Sequence, residues 1–539
     1  MRIHRLLIAG AALAMIGCCA LGWAADYLAD GGDPGRTGWI KTEKVFNTTN
    51  VKNMKLLWKI KLDSKPREMH NLFPPLVVEN VTTSSGSKEV AVVAGISDDL
   101  WGIDTATGAQ IWHKHFDSTY TPPPPGQAGR GGQGGTLCPG GQLATPTVGP
   151  GASPGKYNAY AISWDGRLRE INVADGEDLA PPENFMPPNT KPWSLGLRDG
   201  FLWTAISQGC GGRPFSFFTY DLKTRKASAF LPMGGGLWGR RGVAIDENGV
   251  GYMGTGDGPY YPENKNLGNA IVSVKPDANS QLQLIGYFAP PNVKWLWHRD
   301  LDINVSPIVM DYKGKHLLFG TSKECRIWLV DRDVMNTTEL GPQHMQMLDQ
   351  TPLICNESAR FDAAGPWGAM AAWEDRAGQL FIAVPFLGPL ASNFHAPVQI
   401  GKPVLGGVAT FRVEQNNGKW HMAPVWTFGD VDQGDEALYV NGILFVNAAG
   451  EDTYQQQPDR SWDEAPYVTV EGRGSGTHIA NSRRASIHAL DAATGKLLWS
   501  SGNQITSWNH GSGMTAVNGK AYIGTFDGSL YCFGVEQSK

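Results

Sequence analysis

The chain has 539 residues and a net charge of −5, and only 18% of its residues are charged, below the roughly 25% of an average soluble domain. That balance supplies no basic surface for neutralising phosphates and excludes nucleic acid as a partner. The 67 glycines and 35 prolines exclude a long helical bundle, and 19 tryptophans within a 41% hydrophobic composition exclude a disordered chain.

At the N-terminus Arg2, His4 and Arg5 precede an apolar run from Leu6 to Leu21, and small residues follow at Gly22, Ala24 and Ala25. This order describes a secretory signal peptide over residues 1–25, cleaved near Ala24 or Ala25. The run is short for a bilayer span, so no membrane span is expected in the mature form. Gly17-Cys18 offers a lipoprotein cleavage position as the alternative. The mature protein, 26–539, is expected to be exported to the periplasm or secreted.

Self-similarity then runs the length of the chain. "GIDTATGAQIW" (Gly102 to Trp112) and "ALDAATGKLLW" (Ala489 to Trp499) match at the Asp, the Thr-Gly and the Trp. A strand ends in Asp, Gly108 or Gly495 supplies the positive φ of a tight turn, and the next strand carries a buried tryptophan. Degenerate copies begin at Ile171, Tyr220, Val274, Val330 and Phe411, and the strand around Trp58 is an N-terminal remnant. About eight such units, each with short alternating strands, predict radially repeated sheets: an all-β, eight-bladed propeller in a single domain over 26–539. The strand "SLYCFGV" near the C-terminus is expected to pair with N-terminal strands and close the ring. Two β-sandwiches are the competing architecture.

Thr119 to Thr136 is polyproline followed by glycine and reads as a surface insertion; Glu451 to Gly476 is polar and aperiodic and reads as a second long loop. Removing the signal peptide leaves Cys138, Cys210, Cys325, Cys355 and Cys532, none in C-x-x-C spacing. Cys325–Cys355 and Cys138–Cys210 are the expected pairs, with Cys532 left over, although spacing alone does not derive connectivity. The absence of C-x-x-C-H removes a c-type haem from this chain.

The A-x-D-x-x-T-G-x-x-x-W unit resembles the repeat of the quinoprotein alcohol dehydrogenases, which use pyrroloquinoline quinone (PQQ). "GGDPGRTGW" from Gly31 and "GTFDGSLYCFG" near the C-terminus are similar to that superfamily too, so the resemblance covers essentially 26–539. It implies an eight-bladed propeller with the cofactor on its axis. By the match of "GGGLWG" and "GYMGTGDG", Trp238 stacks on the quinone and Asp257 stands where the family has a metal-binding asparagine. In "WHRDLDINVSP" Asp300 matches the catalytic base and Asp302 a metal ligand, and the two share one face if the segment is extended. In "GTSKECRIWLVDRD" Lys323 matches the residue that contacts the quinone oxygens.

The resemblance therefore implies PQQ and Ca²⁺ as cofactors. A lanthanide is the other candidate, because the second aspartate of D-x-D occurs in lanthanide-using members. It further implies a small alcohol or hydroxylated substrate and a separate electron acceptor such as a cytochrome c. The chain departs from the family in three places. The adjacent cysteine pair is missing, Asp257 replaces asparagine, and "SQGCGGRPFSFF" (Ser207 to Phe218) has no acidic metal ligand; "TLCPGG" from Thr136 and the Cys210 region are the candidates for a different cap. His510 reads as structural and His298 as a neighbour of the site. The sequence leans toward an exported PQQ-dependent dehydrogenase; the alternative is a non-catalytic propeller serving as a scaffold or binding protein.

Overall fold

The computed structural model describes residues 26–118, 138–208, 210, 215–429, 431–454, 475–511 and 513–536. The expected signal peptide and the Thr119–Thr136 insertion lie outside these residues. Eight sheets of four or five strands, antiparallel except where Val398–Ile400 pairs parallel with Lys419–Phe428, succeed one another in a ring, the eight-bladed propeller expected from the repeats. In chain order the blades begin with inner strands at Leu76–Thr83, Thr147–Pro150, Lys191–Pro192, Leu237–Trp238, Ile308–Tyr312, Ala371–Glu374, Gly434–Val440 and Thr515–Val517. We number the blades one to eight on that order. Blade eight takes its outermost strand from the other end of the chain: Ser529–Gly534 pairs antiparallel with Lys55–Lys61, which closes the ring as expected.

The Asp-Thr-Gly-Trp unit is the turn between the third and fourth strands of a blade, and its tryptophan ties that blade to the next. Trp112 Nε1 donates to Val173 O at 2.8 Å, Trp426 Nε1 to Ala492 O at 3.0 Å, Trp499 Nε1 to Met54 O at 2.8 Å and Trp58 Nε1 to Thr105 O at 2.9 Å. Each bond crosses a blade boundary. Gly108 has φ +75°, and a Cβ there would sit 2.8 Å from the Trp58 ring, so only glycine lets the indole lie on the turn. Between blades the apolar faces interdigitate, and the largest core cluster draws on blades seven, eight, one and two.

The N-terminal segment laces the inner strands together. Val148 N donates to Leu28 O, Ile245 N to Pro34 O, Val309 N to Gly35 O and Ala372 N to Thr37 O, at 2.7 to 3.0 Å, so blades two, four, five and six satisfy backbone donors on this segment. A Cβ on Gly35 would fall 2.5 Å from Val309 O, which explains the glycine in "DPGRTGW". Arg36, fully buried, donates to Asp30 O at 2.7 Å, Val243 O at 3.0 Å and Leu195 O at 3.1 Å.

Both expected disulfides are present, Cys138–Cys210 and Cys325–Cys355, and Cys532 is a buried free thiol. Each joins the loop entering an inner strand to the loop leaving a second strand, at one end of the ring. The second expected loop is only partly described: Glu451–Tyr454 is irregular, and a helix over Ser475–Asn481 begins where loop was expected. No helix among the described residues is long and apolar enough to cross a membrane.

Candidate active site

The loops that enter the inner strands converge on the axis at the end of the ring that carries the disulfides, around a cavity of about 520 Å³, within the range of small-ligand sites. Phe73, Thr145, Trp193 and Trp238 approach it from blades one to four. Asn304, Trp367, Asp435 and His510 complete the circuit from blades five to eight. Trp238, Asp257, Asp300, Asp302 and Lys323 all line this one cavity.

The route of Asp300 into the cavity differs from the extended segment expected. A short helix, Val293–His298, ends just before it. Asp300 N donates to Trp297 O at 3.2 Å and Leu301 N to Leu296 O at 3.0 Å, while Asp300 adopts φ +54°. This is a Schellman cap with aspartate at the left-handed position usually held by glycine; buried Leu301 and Leu296 share a cluster behind it. The left-handed residue, not alternation along a strand, is what places Asp300 beside Asp302.

Lys323 sits in the turn between Lys315–Thr321 and Ile327–Asp331 rather than on a strand. Its backbone N donates to Asp302 O at 3.0 Å and its Nζ meets Asp302 Oδ2 at 2.6 Å and Asp300 Oδ1 at 3.9 Å. The same ammonium lies 5.0 Å from the Trp367 ring centroid and 5.3 Å from that of Phe361. Asp302 Oδ1 in turn accepts Asp257 N–H at 2.5 Å. Partial burial, and then the Asp302 carboxylate, push the Asp257 carboxyl up to about 6, with Lys323 acting against them.

Trp238 pairs with Gly254 across the sheet and tilts against Trp193 at 5.9 Å. A Cβ on Gly256 would lie 2.5 Å from the Trp238 ring, so the G-T-G-D stretch is glycine where it backs the indole. The ring makes none of the inter-blade bonds of the docking tryptophans and leaves part of its surface to the cavity.

Of the other polar groups of the wall, the sequence reading names His510 alone. Arg240 forms a buried ion pair with Asp435, and next to them Arg241 holds Glu436 at 2.8 Å. His510, expected to be structural, lines the cavity, with Nδ1 at 2.7 Å from Glu451 Oε1 and its ring edge-on to His70 at 4.4 Å. Burial drives the His70 imidazole well below its ordinary value, helped by His510 and Lys191. Lys191 is a further cation of the wall. His298 instead ends the short helix and packs on Trp297 at 5.1 Å. His70 and His510 precede inner strands and Glu451 follows a second strand, while Lys191 and Asp435 lie on inner strands and Arg240 just after one; position at this end of a blade is their one sequence signal.

Among the described residues the groups of three donors close enough to share a metal ion comprise Glu247, Asp311 and His316 alone, on the surface, where Arg332 already pairs with both acids. At the cavity, Asp302 accepts one bond on each oxygen, and a carboxylate has about four lone-pair sites, so capacity for a cation remains. Burial and the Asp302 carboxylate both raise Asp257, and a cation beside the two carboxylates would oppose both. The donor set thus fits a hard, oxygen-seeking ion.

A quinohemoprotein alcohol dehydrogenase from Comamonas testosteroni superposes with a TM-score of 0.55 at 14% identity, covering 96% of this chain and 81% of that one. Quinohemoprotein alcohol dehydrogenase ADHIIG from Pseudomonas putida HK5 gives 0.57 at 13% identity, with coverage of 96% and 81%. A europium-containing methanol dehydrogenase gives 0.55 at 13%, with coverage of 95% and 98%. The fold is that of the quinoprotein alcohol dehydrogenases. No family profile matches the chain, and neither does any curated protein.

Proposed function

We propose that the chain is an exported PQQ-dependent dehydrogenase that oxidises an alcohol or another hydroxyl compound and passes the electrons to a separate carrier such as a cytochrome c. The observation that carries this reading is the meeting of Trp238, Asp257, Asp300, Asp302 and Lys323, from blades four and five and the segment between them, at a single axial cavity. When bound, PQQ supplies a two-electron acceptor for the hydrogen leaving the substrate carbon, and calcium or a lanthanide polarises it.

The chain's own residues do the rest. Trp238 offers a flat apolar face, with Trp193 fixing its tilt, for a planar ring system to stack on. Asp257 and Asp302 would hold the cation. Asp300 takes the hydroxyl proton, which must leave oxygen as hydride leaves carbon. Lys323 steadies both Asp302 and Asp300, and its ammonium stabilises negative charge that develops in the cavity during the transfer. Burial in a site walled by tryptophans strengthens each of these interactions. Europium in one fold relative supports the lanthanide alongside calcium.

The test is reconstitution. Purified protein incubated with PQQ and calcium, or with a lanthanide, is expected to acquire quinone absorbance and to reduce an artificial electron-accepting dye when ethanol is added. Quinone binding without dye reduction across a panel of alcohols would reject the enzymatic reading in favour of a binding protein.

A further inference from the structure

The cations of the cavity are unequally partnered. Lys323 has Asp302, and Arg240 has Asp435 on Nη1. Lys191 has no counterpart: among the described residues its ammonium makes no hydrogen bond or ion pair, although the residue is only 3% exposed and lines the cavity. It lies 5.4 Å over the Trp193 ring, and Glu451 is the acid that acts on it from a distance. Arg240 is 5% exposed, and its Nε and Nη2 are buried with no acceptor. Burial pushes the Lys191 ammonium down to about 8.

An ammonium and three guanidinium N–H bonds without a protein acceptor among the described residues, buried at a cavity wall, favour a ligand that brings one, since each missing bond to a charged donor is expensive. The economical account is an acceptor that arrives with the ligand. The acids nearest these cations face other partners: Asp435 pairs with Arg240 Nη1, Glu436 with Arg241, Glu451 with His510, and Asp30 accepts Ser194 Oγ and lies 4.0 Å from Arg241 Nε. The missing acceptor is therefore anionic, and its size is limited by the cavity. Lys191 opens blade three two residues before Trp193, with its ammonium over that ring, and Arg240 follows Trp238 by two residues in blade four; all four line the cavity in which an aromatic ligand would lie.

We propose that Lys191 and Arg240 form a carboxylate-recognition subsite of the axial cavity. Carboxylate can reach it from two sources: a carboxylated cofactor such as PQQ, in which case the subsite orients the quinone on Trp238, or a hydroxy-acid substrate. The proposal rests on the functional reading above for the identity of the cofactor, but not for the chemistry of the subsite.

The experiment is equilibrium binding of two probes, PQQ in calcium buffer and DL-malate, to wild-type protein and to Lys191→Gln and Arg240→Gln. Tryptophan fluorescence and calorimetry report binding without turnover. The expected result is a rise of at least tenfold in the dissociation constant of one probe in Lys191→Gln, which leaves the Arg240–Asp435 pair intact and guards against misfolding of the second variant. Loss confined to PQQ assigns the subsite to the cofactor, and loss confined to malate assigns it to the substrate. Wild-type protein that binds malate through Lys191 but no PQQ would overturn the functional reading and keep the subsite. Unchanged affinity in Lys191→Gln, or no binding of either probe to wild type, would overturn the proposal.

Discussion

Asp300 carries a conformational cost that a surface aspartate would not. A non-glycine residue in the left-handed region is disfavoured by about 1 kcal/mol or more, and here that conformation places a carboxylate beside Lys323 and Asp302. Asp300→Asn keeps the cap, since asparagine tolerates the same region, but removes the base. We expect kcat to fall by about 10²- to 10⁴-fold with the PQQ dissociation constant unchanged, measured by dye reduction and fluorescence titration. Wild-type turnover in this variant would remove Asp300 from the chemistry. A second residue is legible through pH. Asp98 is buried and accepts Trp164 N–H at 3.0 Å, and burial lifts its carboxyl from 3.8 to about 7. The native state then binds more protons than the unfolded chain between those values, so stability falls as pH rises through that window. Asp98→Asn should match wild type near pH 4 and exceed it above pH 7, by on the order of 2–4 kcal/mol in denaturant titrations. A gap that does not change with pH would contradict the burial argument.

At the scale of the element, the blade turn is the unit that the sequence exposes. Trp426 is fully buried and donates into blade seven, with its ring against Gly495. Trp426→Ala should cost about 3–5 kcal/mol, read as an earlier urea midpoint, because both the packing and the inter-blade bond go. A loss under 1 kcal/mol would mean the tryptophan only decorates the turn. Such units were readable because strand, Asp, glycine turn and tryptophan recur with the same physical demand at each blade. Trp238, Asp257, Asp300, Asp302 and Lys323 could be picked out only through resemblance in order and spacing. Alternation would put the D-x-D pair on one face only in an extended segment, and it says nothing of the helix that ends at His298 and turns the chain at Asp300 instead. Lys191, Arg240 and Glu451 escaped, and His510 was read as structural, because their local sequences occur once each, and a single lysine before proline looks like any solvated one. Only closure of the ring gives those positions an axis to face.

For the whole molecule, the ring is held by contacts between its two ends and by the segment laced along its inside. Arg36 is the centre of that lacing, satisfying three buried carbonyls from residues 30, 195 and 243. Arg36→Met fills much of the volume but strands those acceptors, and should lower stability by about 3–6 kcal/mol in a urea titration. A variant as stable as wild type would show that the lacing is dispensable. The two disulfides reinforce the same end of the ring that holds the cavity, so rigidity is concentrated where side chains from separate blades must stay in register.

The most direct measurement of the central claim is a titration of purified protein with PQQ in calcium, following quenching of tryptophan fluorescence, repeated with Trp238→Ala and Lys323→Ala. The account predicts saturable one-to-one binding that weakens at least tenfold in each variant. Absence of saturable binding under both calcium and a lanthanide, or affinity untouched by both substitutions, would contradict it.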